Sequence, residues 1–164
     1  MRRSEFTDLR NYIFGSTAAI ITNVSLIVGL GSAGTHKGPI LGGLLTIALA
    51  DNISDSLGIH MYKEAEGGGM RLSWAATALN FLARLLVSFS FVAIVLLFSV
   101  VRAIPVAIGW GLLLVVLLSY WVTASAKPAT SNRALEIGKH LLIALIVIAA
   151  SRYVGTLIAG YFPQ

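Results

Sequence analysis

Pro39-Ile-Leu-Gly-Gly-Leu-Leu-Thr-Ile-Ala-Leu-Ala-Asp-Asn-Ile-Ser-Asp-Ser-Leu-Gly-Ile-His-Met-Tyr-Lys-Glu-Ala-Glu66 is the stretch on which the fold turns. It is largely apolar from Pro39 to Ala50, then places Asp51 and Asp55 in a segment whose surroundings ask for hydrocarbon. A carboxylate inside a membrane helix costs about 2.5 to 3.5 kcal/mol on insertion scales and is seldom present without a partner or a task. Measured from Pro39 at the rise of an α-helix, Asp51 lies about 18 Å and Asp55 about 24 Å along the axis. Four residues apart, the two acids share a face that Ser54, Gly58 and Tyr62 continue as a polar stripe. Two carboxylates that close in a low dielectric need a proton or a cation to hold them together.

The remainder of the chain supports a membrane setting. Of its 164 residues 57% are hydrophobic and only 12% charged, with mean hydropathy +0.84. Soluble domains carry about a quarter charged residues, so this is expected to be an integral membrane protein with one transmembrane domain over residues 1–164. The absence of cysteine excludes disulfides and thiolate metal sites. The net charge of +5 is spread through short connections, a distribution that fits membrane topology and not nucleic acid. No small-residue cleavage pattern follows the charged Met1 to Arg10 segment, so the first apolar run is expected to stay in the mature protein.

An all-α fold of five transmembrane helices is predicted, near 11–33, 39–61, 72–100, 104–124 and 135–161, each near the ~20 residues that cross a bilayer or longer. The breaks fall at Gly34 to Pro39, Gly67 to Gly69, Arg102 to Pro105 and Lys127 to Asn132. With the N-terminus inside, Arg2, Arg3, Arg10, Lys63, Arg71, Lys127, Arg133 and Lys139 lie on the inner side, against Lys37 and Arg102 outside. The positive-inside rule then gives N-in, C-out. Helix one, rich in small and hydroxyl residues, reads as a buried central helix in which Asn23 either bonds between helices or lines a ligand path. Helix three places Asn80 and Arg84 on one face, with Arg84 a counter-ion or a cation-repelling group. Trp110, Tyr120 and Trp121 of helix four read as interface anchors, and Ser131 or Asn132 as the N-cap of helix five.

Two motif matches are rejected. Gly29 to Gly34 fits G-x-G-x-x-G, but Lys37-Gly-Pro39 follows where a dinucleotide site needs a helix to open. Asn23-Val-Ser25 fits a glycosylation sequon but lies within a span. Past the acids, His60, Met61, Glu64, Glu66 and Met70 supply donor types suited to Fe(II) or Mn(II), and equally to a solvated helix end. Asp51 and Asp55 have three readings: an ion site, a pair neutralised by Arg84 or bonded to Asn80 and Asn23, or, for Asp55, a position already near the interface.

Ile13-Phe14-Gly15, then Thr22 and Gly29, the acidic and basic close of helix two, and Asn132-Arg-Ala-Leu-Glu-Ile-Gly-Lys-His140 in helix five resemble the vacuolar iron transporter family, which includes the yeast calcium cross-complementer type. The resemblance implies a homodimeric, proton-coupled exporter of Fe2+ or Mn2+, with the path near helices one and two. This chain would be a small member of that family. Its Ala18-Ala19 stands where the family has Asp-Gly, and the cytosolic metal-capturing extension shrinks to Glu64 to Arg71. The expected metal-handling residues are Asp51 and Asp55 for binding and proton exchange, Asn23 and Asn52 as neutral oxygens, and Met61, Glu64 and Glu66 as the cytosolic entry. No permanent cofactor, no catalytic set and no nucleic-acid partner are expected; the partners are the metal substrate, the lipid bilayer and a second copy of the chain. A non-transporting scaffold or regulatory subunit on the same fold is the alternative. A prokaryotic cytoplasmic membrane is the default location.

Overall fold

The computed structural model describes residues 4–67, 69–125 and 132–162. It is all-α, and its five helices are all long and apolar enough to span a membrane. They are α1 (Ser4–Ser32), α2 (Lys37–Ala65), α3 (Met70–Leu97), α4 (Val100–Ser125) and α5 (Arg133–Tyr161). They run up and down with short connections, so the start of α2 and the end of α3 meet at one end of the bundle. There Lys37 Nζ donates to the Leu96 carbonyl at 3.1 Å, placing a cation on the last turn of α3.

Helix α1 is the axis of the bundle and packs against all four other helices. Its small residues permit that. The Gly155 backbone of α5 sits against the Gly29 carbonyl so closely that a Cβ has no room. Around α1 lies a core of Ile20, Val24, Ile27, Leu44, Phe91 and Val95, with Ala103, Ala107 and Val115 closing it from α4. The outward faces carry Leu49, Ile53, Leu86, Leu117, Leu142 and Ile146, all exposed, as surfaces in contact with lipid tails must be.

Gly34 and Gly67 end α1 and α2 with φ of 81° and 75°. At Gly34 the motif is complete: Thr35 N donates to Leu30 O and Gly34 N to Gly31 O, each at 3.2 Å, the paired closure that a left-handed glycine allows. The predicted break at Arg102 to Pro105 is displaced. Helix α3 stops at Leu97, and Arg102 and Pro105 lie inside the first turns of α4. Ser99 starts that helix by accepting from Arg102 N at 2.9 Å and Ala103 N at 2.7 Å. Pro105 is the sixth residue of α4, where it withholds one backbone N–H from the ladder, and the helix continues through it to Ser125. Asn132 is the N-cap of α5 through its backbone, without a side-chain cap bond, while Ser131 and the rest of the predicted Lys127 to Ser131 connection lie outside the described residues.

Helix α2 contains a π-helical segment, Ile47–Asp51, between two α-helical parts. Before the last buried position, Lys63, its buried residues Ile40, Leu44, Ala48, Asn52, Ser56 and His60 recur every four. On a regular α-helix such a row drifts about 40° per step, about 200° over the five steps. The residue accommodated by the π turn takes back about 100° of this. Both ends of the row therefore face the bundle.

Candidate functional site

The polar row of α2 meets a second one on α3. Asn52, Ser56 and His60 descend one face of α2 a turn at a time, while Ser88, Arg84, Asn80 and Thr77 ascend α3 opposite them. Asn52 Nδ2 reaches Ser88 Oγ at 3.4 Å, Asn80 Nδ2 donates to Ser56 Oγ at 3.0 Å, and Thr77 Oγ1 lies 3.3 Å from His60 Nδ1. This is an antiparallel ladder of buried hydrogen bonds, the adhesive available between helices where lipid supplies no hydrophobic force.

Arg84 is its central rung. The side chain is 1% exposed, and its Nη2 contacts Asp51 Oδ2 at 2.8 Å while Nη1 contacts Asp55 Oδ2 at 2.6 Å. Nε donates to Asn52 Oδ1 at 3.0 Å and Nη1 also to the Gly15 carbonyl at 2.7 Å. All three guanidinium nitrogens are engaged, across three helices. Arg84 lies about 21 Å from Met70 along α3 and Asp51 about 21 Å from Lys37 along α2, so the triad sits near the middle of both spans.

Beside the triad a cleft of about 440 Å³ opens on the outer surface of the bundle, between α1, α2 and α3. Gly15 and Ala18 form one wall, Asp55, Gly58, Ile59 and Tyr62 the second, Asn80 and Arg84 the floor. Gly15 is required there, because the Asn80 amide occupies the space a Cβ would take. Asn80 Oδ1 is buried and without a hydrogen-bond partner.

The sequence-predicted residues thus separate into groups. Asp51, Asp55 and Asn52 come together, all on Arg84. Asn23 does not join them: its Nδ2 donates to Ala19 O at 2.7 Å and to Ser88 Oγ at 3.1 Å, and Oδ1 has no partner. Ser88 links it to Asn52. Met61 points out of the bundle, 63% exposed. Glu64 pairs with the buried His60 at 3.3 Å, and Glu66 with Lys63 at 3.2 Å and the Tyr62 hydroxyl at 2.7 Å. These two acids belong to the end of α2, Glu66 about 16 Å along the axis from Asp55. Among the described residues no three His, Cys, Asp or Glu side chains converge on a point that a metal ion could occupy.

The Tyr62 phenol, and after it Lys63, hydrogen-bond Glu66 and hold its carboxyl below the ordinary range. Trp110, expected at an interface, is exposed, lies about 15 Å into α4 and donates Nε1 to Ser90 Oγ at 3.0 Å. Four contributors escaped the sequence reading: the Gly15 carbonyl, Ser56, Thr77 and Ser88. The spacing of Ser73, Thr77, Asn80, Arg84 and Ser88 along one face of α3 was the available signal for the last.

No protein-family model, curated protein or solved structure matches the chain.

Proposed function

We propose that the protein is a membrane cation exchanger in which Asp51, Asp55 and Arg84 form the exchange site. One observation carries the reading: two carboxylates share one guanidinium at mid-span beside an open cleft. With both acids ionised the triad is one positive charge short, and the low dielectric makes that shortage costly. A proton or a cation from the cleft removes it. Alternation between the two at Asp55, which lines the cleft, couples the movement of one to the other. A divalent Fe2+ or Mn2+ cargo, as the family resemblance implies, suits the donor set poorly. With Arg84 on Oδ2 of both acids, the metal would find one open carboxylate oxygen at Asp55 and otherwise only amides as further ligands.

The second reading is a non-transporting scaffold or regulatory subunit, favoured by the full engagement of Arg84: the triad is then a lock between α1, α2 and α3. Proteoliposomes holding a pH-sensitive dye and a proton gradient separate the two. Challenged in turn with Mn2+, Fe2+ and an organic monocation, the wild type should dissipate the gradient with at least one of them, and Asp55→Asn with none. Absence of any cation-dependent dye response in the wild type refutes the exchanger. A response equal in Asp55→Asn refutes the site.

A further inference from the structure

The cleft has a chemistry of its own that the charge balance alone does not specify. Its walls are mostly small or apolar: Ala18 on one side, Gly58 and Ile59 on the other. Its volume, about 440 Å³, is within the usual range for sites that hold a small organic molecule. Ala18, Asp55, Gly58 and Tyr62 are all exposed, so it opens sideways, toward the lipid.

Three polar features border this space. Arg84 holds Asp55 by Oδ2, and no described residue holds the other carboxylate oxygen; the side chain remains 48% exposed. Asn80, fully buried in the floor, keeps Oδ1 without a donor, packed against Gly15 and reached from the cleft only when the amide turns. Tyr62 presents an aromatic ring one turn beyond Gly58. The groups offered to a ligand are therefore hydrogen-bond acceptors and a ring face. Arg84 spends four of its five N–H donors on Asn52, Gly15 and the two carboxylates, which already outweigh its charge, so the site does not favour an anion. A monocation balances the triad, where a dication would overshoot it.

We propose that the cleft binds the protonated form of a small amine with an apolar body, and that this ammonium is the cation exchanged for a proton at Asp55. The proposal rests on the exchanger reading and gives it a substrate class. The ammonium donates N–H bonds to Asp55 and, as the Asn80 amide turns, to its unpartnered Oδ1; the apolar body lies on Ala18 and Ile59; the Tyr62 ring adds a cation–π contact. Charge is conserved: one monocation enters as one proton leaves the carboxylate pair. Such amines concentrate in bilayers, and a cleft open to lipid admits them without a water-filled path.

The test is equilibrium binding of 1-naphthylmethylamine, followed by its fluorescence, to the full chain in lipid nanodiscs, with empty nanodiscs as the background. Saturable binding of one molecule per chain is expected. Asp55→Asn should weaken it about tenfold or more, the loss of a charge-assisted hydrogen bond. Gly58→Leu should do the same by filling the cleft. A Cβ at Gly58 meets nothing within 4 Å, so the added side chain starts from open space on an exposed helix face, and a far-UV circular dichroism spectrum equal to the wild type's checks that the fold is kept. The N,N,N-trimethyl analogue, equally charged but without an N–H, should bind about tenfold more weakly or worse. Binding no greater than to empty nanodiscs, binding unchanged in both variants, or equal binding of the trimethyl analogue overturns the proposal. If Mn2+ or Fe2+ drives Asp55-dependent proton movement in liposomes while the amine fails to bind, the exchanger stands and the amine class falls.

Discussion

Replacing Arg84 by methionine keeps most of the side-chain volume and removes the only cation within the triad. Two carboxylates are left at mid-span, and Asn52 Oδ1 loses the donor that satisfied it at 3.0 Å. Removing one partner of a buried ion pair typically costs about 3 to 5 kcal/mol, and an orphaned buried acceptor about 1 to 3 kcal/mol more. The acids are 41% and 48% exposed in the bundle, so they can relax outward, and the lower figure, about 3 kcal/mol, is the expected net loss. Adding Asp51→Asn and Asp55→Asn to the same chain removes the unpaired charge and leaves only imperfect hydrogen bonding, worth about 1 kcal/mol. The triple variant should therefore be about 2 kcal/mol more stable than Arg84→Met alone, a non-additivity that charge compensation demands. Reversible unfolding in mixed micelles, titrated with SDS, measures the difference. A triple variant no more stable than the single one would show that Arg84 acts by its shape, and the charge argument would fail.

Asn23→Val should cost less than about 1 kcal/mol, because it removes an unpartnered oxygen along with the Ser88 bond, and should leave cation-dependent proton flux intact; loss of flux would restore Asn23 to the ion path. Gly155→Ala should destabilise by about 1 to 3 kcal/mol in the same unfolding titration, since its Cβ meets the Gly29 backbone, whereas Gly160→Ala, with nothing within 4 Å, should be neutral or stabilising. Deleting Ala50, an exposed residue of the π segment, converts that segment to regular α-helix with both flanking faces kept, so stability should change by no more than about 1 kcal/mol; a chain that no longer folds contradicts the register argument. The Glu66 carboxyl lies below its ordinary value of 4.5 in the folded chain, so the contact with Tyr62 and Lys63 contributes fully above that value and is lost as pH falls through the lowered one; Tyr62→Phe removes the main cause and should raise the carbon-13 NMR titration midpoint of Glu66.

The five spans were legible because apolar length is a strong signal and because Gly34 and Gly67 sit where a helix must turn back. The pairing of the two acids with Arg84 was legible as one of three readings, since a charge in hydrocarbon needs a partner and the predicted span 72–100 offered a single one. What could not be read was rotation. Asn23 and Asn52 look equally suited to an ion path in sequence, yet the angle of α1 about its axis turns Asn23 toward Ser88 and leaves only the Gly15 carbonyl to meet Arg84. Backbone carbonyls carry no residue signature, so that contact had none. Pro105 misled for a different reason: proline is informative about the backbone ahead of it, and within the first turns of α4 it is as compatible with a start as with a break. The four-residue spacing from Ile40 to His60 did contain the π segment, for no straight α-helix keeps such a row on one side.

The charge pattern gives the triad its meaning. Outside it, every acid whose side chain is described has a nitrogen partner of its own: Glu66 with Lys63 and Glu136 with Lys139 as ion pairs, and Glu64 with the His60 ring. Those pairs lie near helix ends, where water is close and an imbalance would cost little. At mid-span, where an imbalance costs most, the one-to-one rule is broken and two acids share one arginine. A lock alone needs no second acid, since one carboxylate would neutralise Arg84 and Asn52 already fixes its Nε. Asp55 is the acid that lines the cleft, and Asp51 is not among the residues of its walls. Both acids contact Arg84, Asp55 at 2.6 Å and Asp51 at 2.8 Å, but only Asp55 also lines the cleft, and the one negative charge that a single arginine leaves unmatched beside it is the feature on which the proposed exchange rests.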